Sequence, residues 1–200
     1  MIAIIDYGAG NIFSVKNALD YLGVENKLTA DKNEICAADE IILPGVGAFP
    51  WAMKMLRDSG LVDTIREEAR KKPFLGICLG MQLIFDKGYE FEETDGLRLI
   101  GGKVEKIDRK NMIIPHMGWN ELEINRDCPI LKGLPEHPYV YFVHSYAAVC
   151  DEANVSAYCD YGGKITALVH DGAYVYGAQF HPEKSGEVGL QMLRNFAELA

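Results

Sequence analysis

The chain has 200 residues, of which 48% are hydrophobic and 24% charged, as in a globular protein with room for one hydrophobic core. Its formal net charge of −9 argues against a broad basic surface for nucleic acid or an anionic membrane. No apolar run approaches the ~20 residues of a membrane-spanning helix, and the N-terminus lacks the basic start of a signal peptide. We therefore expect one domain over residues 1–200, in the cytoplasm, with no nucleic-acid or membrane partner.

Five cysteines are widely spaced along the chain, at positions 36, 78, 128, 150 and 159. No two of them form a C-x-x-C pair, and none has a metal-ligand spacing to a histidine. In a cytoplasmic compartment this pattern predicts reduced thiols, with no disulfide framework and no metal site.

Strand and helix signals alternate in the first part of the chain. Apolar runs predict strands over residues 1–6, 24–28, 40–43 and 74–77, and helical spacing of apolar residues predicts helices over 12–22, 48–57 and 61–71. This alternation predicts an α/β fold with a mostly parallel central sheet, flanked by helices and built with right-handed crossovers.

Short segments rich in Gly, Pro and Asp follow residue 85 and predict additional antiparallel or mixed strands. These segments cover residues 101–104, 112–115, 119–124, 140–147, 155–161, 165–170 and 173–180. A final helix is predicted over residues 186–200.

The stretch from 73 to 82 carries the strongest chemical signal. A predicted buried strand leads into Gly76-Ile-Cys78-Leu-Gly80, and a helical pattern follows. Glycines on both sides of Cys78 allow the sharp strand–turn–helix bend of a nucleophile elbow. The helix N-terminus favours a thiolate there, and the N–H of Leu79 faces the position of an oxyanion. The alternative is a small buried cysteine packed under the sheet.

A cysteine nucleophile needs a base, and the best candidate is His181 in Gly177-Ala-Gln-Phe-His-Pro-Glu183. Pro182 restricts His181 to extended backbone, in which residues two apart point to the same side, so His181 and Glu183 are expected to project together. For either residue alone a structural role is the simpler interpretation. The other four histidines, at positions 116, 137, 144 and 170, are interpreted as core or surface residues.

Two glycine-rich turns follow predicted strands. Gly8-Ala-Gly-Asn-Ile-Phe13 has phenylalanine where a dinucleotide fingerprint needs its third glycine, so we interpret it as a tight turn. Pro44-Gly-Val-Gly47 can present backbone N–H groups to a ligand. Neither turn carries the lysine of a nucleotide triphosphatase, and we expect no cofactor.

Three blocks together resemble the class I (triad) glutamine amidotransferases: Pro44-Gly-Val-Gly47, Gly76-Ile-Cys-Leu-Gly-Met-Gln82 and His181-Pro-Glu183. They occur in the family's order and spacing, and the resemblance covers the whole chain without a departure from the catalytic pattern. Further segments are similar to the glutaminase subunits of imidazole glycerol phosphate synthases. These are Asp6-Tyr-Gly-Ala-Gly-Asn11, Pro115-His-Met-Gly-Trp-Asn120, Tyr141-Phe-Val-His-Ser-Tyr146 and Gln179-Phe-His-Pro-Glu-Lys-Ser185.

The resemblance implies a Cys–His–Glu triad that hydrolyses L-glutamine to glutamate and ammonia. Cys78 would attack the side-chain amide carbon, while His181 takes the thiol proton and returns it to the leaving ammonia. Glu183 would fix the tautomer and orientation of the imidazole. A water activated by His181 would then hydrolyse the thioester.

The same resemblance assigns the rest of the site. The oxyanion hole would consist of the Leu79 N–H and a donor from the Gly45–Val46 peptide. We hypothesise that Gly45 lets this peptide turn between a silent and a donor-presenting orientation. The glutamine pocket would be lined by Gly47, Gln82, Ser145 and Tyr146.

A partner is also implied by the resemblance: a (β/α)8-barrel cyclase subunit that forms a heterodimer with the glutaminase. The ammonia would pass to this subunit, which converts PRFAR to imidazole glycerol phosphate and AICAR in histidine biosynthesis. Asn11, Tyr141 and Lys184 would lie near the partner, although they are equally interpretable as ordinary surface polar residues.

Three alternatives stay open at this point. The chain could be the glutaminase subunit of another synthase, such as anthranilate synthase, or a non-catalytic binding module on the same fold. A cysteine hydrolase of the α/β-hydrolase type is the third, but its nucleophile–acid–histidine order differs from the Cys–His–Glu order of this chain.

Overall fold

The computed structural model describes residues 1–108 and 112–200. Among them, a mixed sheet of eight strands forms the centre of the fold. In spatial order its strands are β2 (Asn26–Thr29), β1 (Ile2–Ile5), β3 (Glu40–Gly45), β4 (Phe74–Cys78), β14 (Val175–Ala178), β13 (Lys164–His170), β12 (Val155–Asp160) and β9 (Glu123–Ile124). The first five are parallel to one another and the last three are added antiparallel.

Two smaller sheets lie within the described residues. In one, β10 (Tyr139–His144) pairs antiparallel with β8 (His116–Glu121). In spatial order the strands of the other are β11 (Tyr146–Cys150), β7 (Gly102–Lys106), β5 (Lys87–Gly88) and β6 (Thr94–Asp95). Because only Ser145 separates β10 from β11, the chain changes sheets at this residue.

Helices cover the central sheet. They are α1 (Ile12–Tyr21), α2 (Lys32–Ala37), α3 (Phe49–Asp58), α4 (Val62–Glu68), α5 (Leu79–Leu83) and α6 (Gly186–Ala197), with 3-10 turns at Pro129–Leu131, Glu152–Asn154 and Pro182–Lys184. No helix in the described ranges is long and apolar enough to cross a membrane.

The hydrophobic core has two parts because alternate residues of a strand point to opposite faces of a sheet. Ile4 packs with residues of α1 and α6 on one face, while its neighbour Ile5 packs with residues of α2, α3 and α4 on the other. Ile42 and Ile41 divide between the two faces in the same way. The resulting helix–sheet–helix layers confirm the predicted α/β fold class.

Four local predictions need correction. The strand predicted over 119–124 covers parts of two strands, β8 and β9, which belong to different sheets. The short helix α2 was not predicted; Asp31 caps it by accepting the N–H groups of Asn33 and Glu34, and Ile35 is its buried residue. The strand predicted over 112–115 is wrong, and those residues lie outside the strands, since Pro115 has no N–H for a ladder. The strand predicted over 140–147 is two strands that belong to different sheets.

Candidate active site

Cys78 occupies the sharp turn that the sequence predicts. It ends β4, and α5 begins at the next residue. Its backbone has φ 54° and ψ −111°, a conformation that side-chain-bearing residues rarely adopt and that costs about 1–3 kcal/mol. The side chain is largely buried, with 7% of the residue exposed. The strand–turn–helix arrangement of a nucleophile elbow is therefore confirmed.

Glycines make this turn possible because the backbone segments around it are in contact. A Cβ on Gly80 would lie 1.8 Å from the carbonyl oxygen of Leu43 in β3. A Cβ on Gly76 would lie 2.6 Å from the carbonyl oxygen of Gly80. No side chain fits at either position, so the two glycines are needed for the close packing of α5 on β3 and β4.

His181 and Glu183 come together after the end of β14. The Nδ1 atom of His181 lies 2.8 Å from Oε1 of Glu183, and both side chains are almost fully buried. The backbone N–H of His181 donates to the carbonyl of Tyr141 in β10, which fixes the segment. The expected pairing is present. His181 has the predicted extended backbone, with φ −103° and ψ 96°, but the chain does not stay extended: Pro182–Lys184 form a 3-10 turn that brings the carboxylate back to the imidazole.

The electrostatics of His181 follow from its neighbours. Burial lowers its pKa, but the side chains of Cys78 and Glu183 outweigh burial and raise the pKa to about 9. At neutral pH the imidazole is therefore protonated. Its Nε2 atom is buried and has no hydrogen-bond partner among the described residues, so the imidazole is tied to Glu183 through Nδ1 alone.

A pocket of about 390 Å³ opens over Cys78. It is lined by Val46, Gly47, Cys78, Leu79, Gln82, Glu90, Pro115, Val143, His144, Ser145, Tyr146 and His181. The four residues predicted to bind glutamine therefore share one cavity with Cys78 and His181.

The segment after β3 forms one wall of the pocket. Gly45 is buried at the end of β3, while Val46 and Gly47 line the cavity. A Cβ on Gly45 would lie 2.8 Å from the backbone nitrogen of Gly80, so Gly45 is a position of close approach. The left-handed residue of the segment is Gly47, with φ +103°. Leu79 lines the same cavity from the first turn of α5, where backbone N–H groups lack helical partners.

Glu90 is a pocket residue that sequence reasoning missed. One carboxylate oxygen accepts the backbone N–H of Phe49 at 2.7 Å, which holds the side chain in place. It is the acidic side chain among the lining residues. No motif surrounds it in the sequence, and its position depends on the distant contact with α3.

Gln179, which the sequence indicates only as part of a motif, contacts Cys78. It is fully buried, and its Nε2 atom donates to the sulfur of Cys78 at 3.9 Å, within the range of an N–H···S contact. Its Oε1 atom accepts from Nε2 of Gln82 at 3.1 Å. Gln82 also donates to the carbonyl of Tyr146 at 3.1 Å.

His116 and His144 form a buried pair beside the pocket. Nδ1 of His116 lies 3.0 Å from Nε2 of His144, and Nδ1 of His144 donates to the Tyr146 carbonyl at 2.8 Å. Burial lowers the pKa of each to about 4. Both are neutral at pH 7 and support the pocket wall, consistent with the core role predicted for them.

The residues expected near a partner lie on the outer side of this region. Lys184 is exposed, and Asn11 and Tyr141 are half-buried. The Tyr141 ring lies between those of His181 and the exposed Trp119, with centroid distances of 6.5 and 6.2 Å. Trp119 and the exposed Met117 on the same strand were not singled out from the sequence.

Comparison with known proteins agrees with this geometry. The family model described as "Glutamine amidotransferase class-I" matches residues 3–199. A relative from Bacillus cereus (strain G9842), named imidazole glycerol phosphate synthase subunit HisH, is 51% identical over 98% of this chain and 93% of its own length. A relative of the same name from Listeria monocytogenes serotype 4a is 49% identical over all of this chain and 96% of its own.

Solved structures share the fold at lower sequence identity. A crystal structure described as a glutamine amidotransferase superposes with a TM-score of 0.77 and 23% identity, covering all of this chain and 98% of its own. PurLQS from Thermotoga maritima gives a TM-score of 0.75 at 22% identity over 98% of this chain and 96% of that one. These similarities support the three-layer architecture.

Proposed function

The chain belongs to the class I glutamine amidotransferases, and we propose that it is the glutaminase subunit of an imidazole glycerol phosphate synthase. It hydrolyses L-glutamine to glutamate and ammonia through Cys78, His181 and Glu183. The observation that carries this proposal is the strained elbow that holds Cys78 in one pocket with a buried His181–Glu183 pair.

The reaction starts from the state in which the thiol proton of Cys78 already resides on Nε2 of His181, the imidazole nitrogen that makes no hydrogen bond within the described residues. The thiolate attacks the side-chain amide carbon of glutamine and forms a tetrahedral oxyanion. His181 then gives the proton to the departing nitrogen, which leaves as ammonia while a thioester forms. A water that His181 deprotonates hydrolyses the thioester and releases glutamate.

Glu183 orients this proton transfer. Its carboxylate at 2.8 Å from Nδ1 requires the proton to stay on that nitrogen, which leaves Nε2 as the atom that exchanges a proton with the sulfur. The negative charge of the carboxylate also stabilises the imidazolium, in agreement with the raised pKa of His181.

Backbone donors stabilise the oxyanion in this proposal. The N–H of Leu79 lies at the start of α5 directly after the nucleophile, and the Gly45–Val46 peptide supplies the second donor when its N–H turns into the pocket. One such donor contributes about 3 kcal/mol to lowering the barrier, so a peptide in the wrong orientation keeps the enzyme nearly silent.

The pocket supplies contacts for the rest of the glutamine molecule. Glu90 is acidic and faces the cavity, and we assign it to the α-ammonium group of the substrate by charge complementarity. Gly47, Gln82, Ser145 and Tyr146 form the remaining walls. Together they accommodate a zwitterion with an extended amide side chain.

The second subunit is a (β/α)8-barrel cyclase that receives the ammonia. The relatives' name as a synthase subunit supports a partner, and the exposed Trp119 gives the surface an apolar anchor of the kind found at interfaces. Tyr141 joins this residue to His181, and Lys184 follows the triad carboxylate by one residue. We therefore assign Asn11, Tyr141 and Lys184 to the docking surface, with Tyr141 and Lys184 next to the triad residues.

The alternatives receive less support. Relatives about 50% identical to the chain are named as imidazole glycerol phosphate synthase subunits, which favours this assignment over an anthranilate synthase glutaminase. A buried and hydrogen-bonded His181–Glu183 pair beside Cys78 favours catalysis over a binding module.

Glutamate release with and without a cyclase barrel subunit and its nucleotide ligand tests the proposal. We expect release to depend on the barrel and to disappear in Cys78→Ala, whereas Cys36→Ala, which removes an exposed thiol, keeps the full rate. A chorismate-using synthase subunit serves as the mismatched partner. Full activity of Cys78→Ala, or stimulation by the mismatched partner alone, would overturn the assignment.

A further inference from the structure

Gln179 is placed to act on the nucleophile, although it belongs to neither the triad nor the pocket lining. We propose that the Gln179 side chain stabilises the Cys78 thiolate through an N–H donor whose direction is set by Gln82. The inference rests on the proposed role of Cys78 as the nucleophile, and it adds a second side chain, besides His181, that acts on the sulfur.

The hydrogen bonds of Gln82 determine which way the Gln179 amide group points. A backbone carbonyl can only accept hydrogen bonds, so Gln82 must turn its NH2 group toward the Tyr146 oxygen, 3.1 Å away. The second hydrogen of this group then points to the Gln179 side chain, which must present its oxygen, also at 3.1 Å. The NH2 group of Gln179 is left facing the sulfur of Cys78 at 3.9 Å.

The surroundings hold this arrangement in place. Gln179 is fully buried, and its backbone N–H donates to the carbonyl of Ala167 at 2.9 Å. The Tyr146 carbonyl that begins the chain is fixed by His144, which donates to it at 2.8 Å. The amide chain is therefore anchored at both ends, so Gln179 has little freedom to turn its oxygen toward the sulfur.

The chemical consequence concerns the first proton transfer. When the Sγ–H bond breaks and the proton moves to Nε2 of His181, the electron pair stays on sulfur as a thiolate. A thiolate accepts the Gln179 N–H more strongly than a thiol does, because hydrogen bonds to a charged acceptor are about twice as strong as neutral ones. Gln179 has no titratable proton, so its contribution does not depend on pH, whereas that of His181 does.

The pH profile of Cys78 alkylation by iodoacetamide tests this role without requiring glutamine turnover. Rates are measured at each cysteine by peptide mass spectrometry in the full-length protein. We expect Gln179→Met, which keeps the side-chain length but lacks the donor, to need about one pH unit more for half-maximal alkylation of Cys78. At pH values well below the midpoint this corresponds to an alkylation rate about tenfold lower than that of the wild type, with an unchanged plateau at high pH.

Controls separate this effect from a loss of structure. Exposed Cys36 reports on the reagent in the same molecule, and Gln191→Met makes the same substitution at an amide that bonds Asn195 in α6. The other titratable groups that face Cys78, His181 and Tyr7, are unaltered by either substitution. Gln82→Met provides a second variant, because it removes the orienting group without touching Gln179; its Cys78 profile should also move upward.

The outcomes are distinct. An upward shift in both Gln179→Met and Gln82→Met, with no shift in Gln191→Met, supports the inference even if glutamine is not hydrolysed. A wild-type profile in Gln179→Met overturns it, and if that variant does not fold, a wild-type profile in Gln82→Met overturns it instead. Absence of glutaminase activity in the wild type with its barrel partner would refute the proposed function but not the inference.

Discussion

Replacing Glu183 with glutamine should lower the pH at which glutamine hydrolysis declines on the alkaline side. His181 has a pKa raised to about 9, against the lowering effect of its burial, by Cys78 and Glu183. A raised pKa means that the imidazolium is present below about pH 9 and is lost above it. In the proposed mechanism the imidazolium supplies the proton to the leaving ammonia, so kcat/KM should fall as pH rises through that value.

The expected size of the pKa shift follows from the short distance between Glu183 and His181. A carboxylate within ~4–6 Å of an ionisable group changes its pKa by about 1–3 units, and Glu183 lies 2.8 Å from Nδ1 in a site where both side chains are almost fully buried. Glu183→Gln removes the charge but keeps the shape. The alkaline limit should therefore move from about pH 9 to between about 6 and 8.

The assay is the pH dependence of kcat/KM for glutamate release in the complex with the barrel subunit, since kcat/KM reports the groups of the free enzyme. Glu187→Gln, the same change at an exposed residue in the first turn of α6, is the matched control and should leave the profile in place. Superimposable alkaline limbs in Glu183→Gln and wild type would refute the electrostatic role of Glu183.

Three further predictions concern the pocket and its support. Gly45→Ala places a methyl group 2.8 Å from the Gly80 nitrogen and should reduce partner-stimulated glutamate release at least tenfold; an unchanged rate would contradict peptide rotation at this position. Glu90→Gln should raise the KM for glutamine about tenfold while leaving kcat nearly constant, because the lost contact is to the bound substrate. Steady-state kinetics in which kcat falls and KM stays constant would exclude an ammonium contact. The buried His116 and His144 have pKa values of about 4, so their stabilisation is complete above about pH 6.5 and is lost as pH falls toward 4. In urea unfolding, His116→Gln should reduce by about 3 kcal/mol the amount by which the free energy of unfolding falls between pH 6.5 and 4. If this free energy fell as steeply in the variant as in the wild type, the buried neutral state of His116 would be refuted.

The elbow at Cys78 and the His181–Glu183 pair of the proposed triad could be predicted from the sequence because each of these parts is local. The elbow signal lies within five residues around Cys78, and the base and its orienting acid lie two residues apart. His181 has the predicted extended backbone, but its pairing with Glu183 also depends on the 3-10 turn that follows, which was not predicted. A proline between two residues restricts the first of them but does not determine the turn that follows.

Residues that act through long-range contacts could not be found in this way. The hydrogen-bonded chain that ends at Cys78 joins Gln82 to Tyr146, Gln82 to Gln179 and Gln179 to Cys78, across separations of 64, 97 and 101 positions. Glu90 is held by a backbone N–H 41 positions away. No periodic pattern links such positions, so only the folded chain identifies them as neighbours.

The glycines of the elbow connect the fold to the chemistry. Strand β3 lies so close to α5 that a Cβ on Gly80 would be 1.8 Å from the Leu43 oxygen, and β4 meets the same turn at Gly76. This proximity is what brings the Gly45–Val46 peptide and the Leu79 N–H to one pocket, because the end of β3 and the first turn of α5 face each other across it. The same packing holds Cys78 at φ 54°, so surrounding contacts balance the backbone strain of the nucleophile. Any side chain at Gly76 or Gly80 would push α5 away from β4 or β3, relax Cys78 and move the proposed oxyanion donors apart. The Gly-x-Cys-x-Gly pattern is therefore a steric requirement for the active site as well as a flexible turn.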